Sequence, residues 1–369
     1  MKHKSISVVL TAILLFMILG NSVGCGGGGG GTQYTLTITS TAGGDVTTPA
    51  EGAYNYASGA VVNLTATPDG GYRFVDWTAT AGSFGNATAA QTTFTMPAQD
   101  VTVTAHFALG TLIENVPDTN QPPTSNATDF CAPIAMANVL EYWDDVMNHA
   151  NAQNVTAGLI PETVADYLGW FMDTNNVGSP DRLNNGGIPG THINDIGPGT
   201  MEFVRWDSTH NYPVNPPPPP PPALPGGKLG YNWLVGWNCD TDYNLTLNLF
   251  KNDIDNGLPM VVAFDFWNPV DKNIAVVDPE TGETINVFIW GDMTNTTTPP
   301  NPPEYWTYYD TGHAVTGVGY ILAWDPDGAG PIPKFDWVIV HDNWATTPEN
   351  VAIPWAWWMC LYNVNPGGL

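Results

Sequence analysis

Short runs in which apolar residues alternate with threonine occupy the chain between Gln33 and Phe107. Residues 34–38 and 101–107 show the pattern most clearly, and a period of two is typical of β-strands that bury one face. Turn signals rich in glycine and proline divide the segment into four or five strands. That number is enough for one small all-β module, which we place at residues 33–108.

The second half of this module contains a further sequence pattern. The stretch from Pro68 to Trp77 places three aromatic residues after an Asp-Gly-Gly turn, and the final strand reads Val-Thr-Val-Thr-Ala-His-Phe. In these motifs residues 33–108 resemble the divergent internalin-type B-repeat of bacterial surface proteins. We expect Tyr72, Phe74 and Trp77 to belong to the core of the module, and stacking on a sugar is the alternative role for such rings.

The composition changes after residue 108, where Trp, Asn, Asp and Pro become frequent and apolar residues recur at helical spacing. We therefore predict a multidomain chain, in which the all-β module precedes a larger α+β domain over residues 109–369. Two proline-rich stretches, at 216–222 and 296–303, indicate surface loop insertions in that domain.

The N-terminus predicts export from the cytoplasm. Lys2 and Lys4 precede an apolar run over residues 6–19, and small residues follow it. This is the pattern of a signal peptide, which we place at residues 1–24. The run is shorter than the ~20 residues of a bilayer-spanning helix, so we expect cleavage rather than retention. The predicted location is therefore extracytoplasmic, where disulfides can form.

The signal ends at Cys25, and six glycines follow it. This ending resembles a bacterial lipoprotein signal, in which the Cys becomes the lipidated first residue of the mature chain. The resemblance implies lipidation of Cys25, anchoring to a membrane, and a flexible tether over residues 25–32. Ser22 stands where such signals usually have Leu, so ordinary cleavage and secretion remain an alternative.

The charge balance excludes one class of partner. Nine Lys and Arg residues stand against 35 Asp and Glu, which gives a formal net charge of -26. Binding to a phosphate backbone requires a basic surface, because Lys and Arg neutralise the phosphates. We therefore predict no nucleic-acid partner.

Cys131 stands just before a helical pattern that begins at Ile134. Pro133 suits the first turn of a helix, where its missing N–H loses no hydrogen bond. A thiol at a helix N-terminus is exposed to unpaired amides and to the positive end of the helix dipole, and both favour the thiolate. The sequence therefore predicts a nucleophilic Cys131 with a pKa below the ordinary thiol value of ~8.5.

The remaining cysteines decide whether this thiol is available. If Cys25 is lipidated, three cysteines are left, and an odd number leaves one unpaired. A disulfide between Cys239 and Cys360 would leave Cys131 reactive, whereas a pair that included Cys131 would abolish its chemistry. The sequence leaves both connectivities open.

A strand that begins at His313 and a second strand that ends near Asp342 predict a base and its orienting acid. Antiparallel pairing of the two strands would bring the start of the first beside the end of the second, so that the imidazole meets the carboxylate. His341 is the rival base, but the alternation of a strand directs it to the face opposite Asp342.

The order of Cys, His and Asp resembles the papain superfamily, in particular the peptidases related to the bacteriocin double-glycine leader family, over about residues 115–363. The resemblance rests on Cys-Ala-Pro at 131–133, Gly-His-Ala-Val at 312–315, and Asp342. Trp344 fits the aromatic residue that covers the site in the superfamily. The resemblance implies a helix bearing Cys131 packed on an antiparallel sheet, and peptide hydrolysis through an acyl-enzyme.

The family also has a Gln shortly before the Cys, whose amide helps to bind the oxyanion. Ser125 occupies the corresponding position here, and this is a departure from the pattern. We favour Gln121 as the amide, on an enlarged loop, and Asn126 is the nearer alternative.

Three functions are compatible with these patterns: a cysteine peptidase acting on a peptide or protein substrate, an inactive peptidase-like surface binding module, and a cysteine acyltransferase or amidase. We favour the peptidase, with no cofactor. Residues 325–330 faintly resemble a calcium-binding loop, but the later Glu of such loops is missing, so we predict no metal site.

Overall fold

The fold is described from a computed structural model of the chain. The structure describes residues 32–120, 129–149, 156, 160–176, 189–205, 234–238, 243–264, 269–290, 312–327, 332, 334–355 and 359–365. The predicted signal peptide, Cys25 and both proline-rich stretches lie outside these residues.

The N-terminal module is built entirely of β-strands, as predicted. Its strands are β1 (Gln33–Ser40), β2 (Gly44–Thr48), β3 (Gly52–Ala57), β4 (Val61–Pro68), β5 (Tyr72–Ala79), β6 (Ser83–Phe84), β7 (Gln91–Thr95) and β8 (Val101–Leu109). They form two four-stranded sheets, in the orders β3-β1-β8-β5 and β2-β4-β7-β6. The additional strands are short or largely exposed, as β6 and β3 show, so they lack the alternating pattern on which the lower predicted number depended.

The alternating residues of this module meet in one apolar core. Leu36, Val103 and Phe107 are fully buried there, while the alternate residues Thr104 and His106 are less buried. Trp77 is also buried, and its indole N–H donates to the carbonyl of Ala89 at 3.0 Å. Its place in the core is therefore confirmed.

An α+β region follows the module. Its helices are α1 (Cys131–Glu141), which continues into a π-helical turn at Tyr142–Val146, α2 (Pro161–Phe171), α3 (Ile193–Arg205) and α4 (Tyr243–Asp255), with a short 3-10 turn at Thr174–Asn176. Its strands are β9 (Thr111–Leu112), β10 (Leu234–Asn238), β11 (Met260–Phe264), β12 (Pro269–Val277), β13 (Thr284–Trp290), β14 (His313–Trp324), β15 (Phe335–His341), β16 (Asn350–Pro354) and β17 (Met359–Asn365). The α+β prediction is confirmed.

These nine strands form one sheet in the order β10-β17-β11-β14-β15-β16-β13-β12, with β9 paired to β14. The pairs are antiparallel except for β13 with β16. Strand β11 is buried at every position and lies between β14 and β17. An uninterrupted apolar run such as Met-Val-Val-Ala-Phe is typical of a strand buried on both faces.

Consecutive residues of β14 contact helices on opposite faces of the sheet. The hydroxyl of Thr316 donates to the carbonyl of Ala135 in α1 at 3.4 Å. A side chain at Gly317 would collide with Phe250 of α4 and with Val262 of β11, so glycine is what permits α4 to pack this closely. The predicted antiparallel pairing of β14 with β15 is confirmed, with Thr316 opposite His341.

The module and the α+β region join without a spacer at Gly110. Its N–H donates to the carbonyl of Gly71 at 2.9 Å, and its carbonyl accepts from the guanidinium of Arg73 at 2.8 Å. One residue earlier, the N–H of Leu109 donates to the buried carboxylate of Asp278 at 2.9 Å. Trp324, at the end of β14, packs directly on Gly71. The module is therefore attached through specific contacts to the strand that begins at His313.

Gly110→Ala should destabilise the chain more than an ordinary glycine substitution. Gly110 has a φ of 64°, and an added Cβ would lie 2.3 Å from the carbonyl oxygen of Tyr320. Left-handed strain and the collision together should lower the free energy of unfolding by about 3 kcal/mol, measured by urea denaturation. Gly59→Ala is the matched control, because its φ is 81° and nothing lies within 4 Å of its Cβ position. Its cost should be only ~1 kcal/mol, and equal losses in the two variants would contradict the predicted collision.

Candidate active site

Cys131 is the first residue of α1, and it lies at the end of the sheet where strand β14 begins. The helix starts without a side-chain cap, and the ring of Phe130 packs on Gly169 of α2. Pro133 is buried in the first turn, as the sequence predicted. The helix therefore presents its uncapped N-terminus, with the thiol, to the strand that contains His313.

The thiol meets the strand at the residue after His313. The main-chain N–H groups of Ala314, Ala132 and Cys131 itself face the sulfur and favour the thiolate. Burial acts in the opposite direction and is the larger effect, and Asp129 adds to it, so the pKa of Cys131 is raised. The predicted lowering of this pKa is wrong for this arrangement, because desolvation of the sulfur outweighs the amides at the helix end.

Cys131 is a free cysteine and is half-buried. Cys360 is disulfide-bonded. Cys25 and Cys239 lie outside the part of the chain that the structure describes. The thiol of Cys131 is therefore not consumed by a disulfide, as its predicted chemistry requires.

His313 is 6% exposed and is contacted through its Nε2 atom. This atom lies 2.8 Å from the main-chain oxygen of Asp342 and 3.0 Å from the indole Nε1 of Trp344. Burial lowers the pKa of His313 to about 4, and the carbonyl of Asp342 opposes the shift. Among the described residues, no hydrogen bond joins this imidazole to the Cys131 thiol. At neutral pH the imidazole and the thiol are both uncharged.

The structure brings His313 and Asp342 together through the main chain of Asp342. The carboxylate of Asp342 accepts instead from the N–H of Trp344 at 3.1 Å and from the hydroxyl of Thr347. Burial raises the pKa of this carboxyl to about 6, the hydrogen bonds from Thr347 and Trp344 oppose the rise, and the nearby Asp118 adds to it. The carboxylate thus stabilises its own turn, while the carbonyl faces the imidazole.

Asp118 is a second carboxyl behind this turn. Its Oδ1 atom is buried and has no hydrogen-bond partner among the described residues. Burial, followed by repulsion from Glu349, raises the pKa of Asp118 to about 6. The rival base His341 lies nearby, with Nδ1 3.2 Å from the carbonyl of Pro117 and Nε2 3.3 Å from the amide oxygen of Asn350. Both of its nitrogens therefore have partners away from Cys131.

A buried polar network fixes α1 to β14 beneath the site. The fully buried Asn138 accepts from the N–H of Thr119 at 3.2 Å and donates to Thr316 at 3.2 Å and to the side chain of Asn343 at 3.3 Å. Asn343 in turn donates to the carbonyl of Ala314 at 3.1 Å. The sequence interpretation missed this network, although one Asn in an otherwise apolar helix was an available signal.

Gln121 and Asn126, the two candidates for the oxyanion amide, lie outside the described residues, as does Cys25.

Within the described ranges, no group of three or more His, Cys, Asp or Glu residues is arranged to hold a metal ion. The helices described here include none with the length and apolar character to cross a bilayer.

Comparison with known proteins assigns the N-terminal module. Residues 34–111 match the divergent InlB B-repeat domain. The resemblance seen in the sequence of the module is therefore confirmed. A crystal structure described as a C39-like peptidase from Bacillus anthracis is similar to the chain, with a TM-score of 0.32 and 14% sequence identity, over 69% of this chain and 98% of that chain. No curated protein matches the sequence.

Asn138→Leu should destabilise the fold strongly, because it leaves the N–H of Thr119 and the amide oxygen of Asn343 without their partner. Buried polar groups that lose a partner cost about 1–3 kcal/mol each, so we expect a loss of about 3 kcal/mol in urea denaturation. Asn252→Leu, at an exposed position of α4, is the control and should change stability by less than about 0.5 kcal/mol. A similarly small effect at Asn138 would contradict a supporting role for the network.

Asp118→Asn should reduce the pH dependence of stability. Asp118 and Asp342 both have raised pKa values, so the folded chain holds their protons more tightly than the unfolded chain does. The stability they contribute is complete at low pH and is lost as the pH rises through about 6. Urea denaturation from about pH 5 to about pH 7.5 should show a smaller loss in the variant than in the wild type.

The histidines with lowered pKa values act in the opposite direction, but they are present in both proteins, so the difference reports the carboxyls. The pKa of Asp342, followed by carboxyl NMR, should fall in Asp118→Asn because a neighbouring negative charge is gone. An unchanged Asp342 pKa would show that the two carboxyls do not interact.

Proposed function

We propose that the chain is an extracytoplasmic cysteine peptidase that hydrolyses peptide bonds through an acyl-enzyme. Cys131 is the nucleophile, His313 is the general base, and Asp342 orients the imidazole. The observation that carries this proposal is the meeting of an uncapped helix N-terminus bearing a free thiol with the start of the strand that contains His313. A nucleophile, a base and an orienting group drawn from three separate elements are what acyl transfer by a thiol requires.

The reaction follows from these roles. The thiol proton passes to the imidazole as the sulfur attacks the substrate carbonyl, and His313 then donates that proton to the leaving amine. Water, activated by the same imidazole, cleaves the acyl-enzyme and restores the thiol. The carbonyl of Asp342, 2.8 Å from Nε2, accepts from the ring when Nε2 carries a proton and leaves Nδ1 as the basic atom.

The oxyanion is held by the main-chain N–H of Cys131 at the start of α1 and by one side-chain amide. The N–H groups of Cys131 and Ala132 already face the sulfur. Gln121 is our candidate for the amide and Asn126 is the alternative, and a donor of this kind is typically worth ~3 kcal/mol of transition-state stabilisation.

The location and substrate follow from the first third of the chain. The predicted signal peptide directs export, and Cys25 is proposed as a lipid anchor, with secretion as the alternative. A B-repeat module supports a place at the cell surface. The substrate class is therefore an extracytoplasmic peptide or protein. A surface binding module without activity is the second candidate, which the uncharged thiol and imidazole favour.

Cys131→Ala should abolish hydrolysis of a peptide library, and a thiol-directed inhibitor should label Cys131 in the wild type. His313→Gln should lower kcat/KM by at least about 10³-fold, because both proton transfers lose their carrier. His341→Gln tests the rival base and should retain activity if circular dichroism shows a folded protein. A folded wild type that cleaves no peptide and resists labelling would favour the binding module. Transfer of the acyl group to an added amine would favour an acyltransferase.

Asp342→Asn should reduce kcat/KM by less than about tenfold. The substitution keeps the main-chain carbonyl that faces His313 and changes only the side chain, which contacts Thr347 and Trp344. An orienting carboxylate in direct contact with the base would be worth about 10⁴-fold on replacement by the amide. Steady-state kinetics on one cleaved peptide separates the two outcomes, and a loss near the larger value would assign the orienting role to the carboxylate.

A further inference from the structure

Two groups of opposite hydrogen-bonding character meet at one nitrogen of His313. The Nε2 atom lies 2.8 Å from a carbonyl oxygen, which can only accept, and 3.0 Å from an indole nitrogen, which can only donate. A ring nitrogen of imidazole carries either a proton or a lone pair. The carbonyl of Asp342 and the indole of Trp344 therefore cannot both be hydrogen-bonded to Nε2 at the same time.

Each partner selects a different tautomer of the imidazole. If Nε2 bears the proton, it donates to Asp342, and the lone pair of Nδ1 can accept the thiol proton. If the indole N–H of Trp344 donates to Nε2, the proton must lie on Nδ1. Nδ1 is the ring nitrogen nearer the main chain of its own residue, and the sulfur of Cys131 meets that main chain at the following amide, the N–H of Ala314. The second tautomer therefore has no base for the thiol.

We propose that Trp344 is a positioning residue that holds His313 in the Nδ1–H tautomer, so that the site is inactive until a peptide substrate draws the indole away. This inference rests on the proposed peptidase function. Once the indole N–H leaves, Nδ1 gives its proton to water, and Nε2 takes a proton from water and donates it to the carbonyl of Asp342. Nδ1 is then the basic nitrogen of the ring.

The departure of Trp344 also stabilises the charged form of His313. Transfer of the thiol proton to Nδ1 produces a thiolate and an imidazolium, in which both ring nitrogens bear hydrogen. While the indole N–H of Trp344 still points at Nε2, it would face the Nε2–H of the imidazolium, and the two donors would repel each other. The departure of Trp344 removes that repulsion, and the carbonyl of Asp342 then accepts the Nε2 proton. Water carries the proton between the two ring nitrogens, and no oxidant or reductant is required.

Trp344 is placed to respond to a substrate. Its side chain is 46% exposed, and its ring stacks on the imidazole at a tilt of 34° with centroids 5.5 Å apart. Its main chain is fixed by the turn, where the N–H of Thr347 donates to its carbonyl at 3.1 Å. The ring can therefore rotate while the backbone stays in place. A peptide laid over the exposed indole offers main-chain carbonyls as alternative acceptors of its N–H.

Trp344→Phe tests the proposal because it removes the N–H and keeps an aromatic ring over His313. The tautomer is measured directly by ¹⁵N NMR of the imidazole, with the His313 signals assigned by their absence from His313→Gln. We expect a lone pair on Nε2 in the wild type and a proton on Nε2 in the variant. The rate of Cys131 alkylation by iodoacetamide should rise at least about fivefold, because the thiol gains a base.

Trp77→Phe is the matched control. It also removes a hydrogen-bonded indole N–H, but in the repeat module, so the tautomer and the alkylation rate should equal those of the wild type. A wild type with the proton already on Nε2 would overturn the proposal. Faster alkylation of Trp344→Phe without a change of tautomer would also overturn it, because it would show that the ring only blocks access. These readouts need no hydrolysis, so they are independent of a failure to find peptidase activity.

Discussion

The position of α1 on β14 depends on one buried amide. Asn138 uses both ends of its side chain, accepting from the segment before the helix and donating to the strand and to the turn beyond β15. Helix and strand could slide along each other if only apolar groups met between them, because dispersion and burial have no direction. Hydrogen bonds that must be satisfied in a dry interior fix one alignment. That alignment brings the first residue of the helix to the first residues of the strand.

Burial then determines the chemistry available at this meeting point. It raises the pKa of Cys131 and lowers that of His313, so both groups are uncharged where an ion pair would be the active form of a thiol nucleophile. Main-chain dipoles act against burial at both residues, from three N–H groups at the sulfur and from one carbonyl at the ring. The balance is set by solvent exclusion, and the residue that can change this exclusion most readily is the exposed Trp344.

Much of this architecture could be predicted from local pattern. Alternation identified the all-β module, and helical spacing after residue 108 indicated the change to an α+β domain. The pairing of β14 with β15 followed from two strands separated by a turn. Each of these depends on periodicity, which neighbouring residues express directly. The short strands of the module escaped prediction because their side chains are mostly exposed and leave no apolar period.

The finer features of the site could not be predicted, because they depend on contacts between distant segments. The raised pKa of Cys131 reflects desolvation of the sulfur, which no helix-end argument contains. The carbonyl of Asp342, not its carboxylate, faces the imidazole because the carboxylate caps its own turn, and main-chain acceptors leave no trace in a sequence. The repulsion between Asp118 and Asp342 involves two distant segments of the chain. Only Asn138 was conspicuous beforehand, as an amide among the apolar residues of its helix.

The junction at Gly110 connects the repeat module directly to strand β14. Strand β8 passes through this glycine straight into β9, which pairs with Gly319 and Tyr320 of β14. Trp324, at the far end of the same strand, rests against the module. A force on the repeat module, or a ligand bound to it, would act on the strand whose first residue is His313. The repeat module and the imidazole of His313 are thus connected through one β-strand.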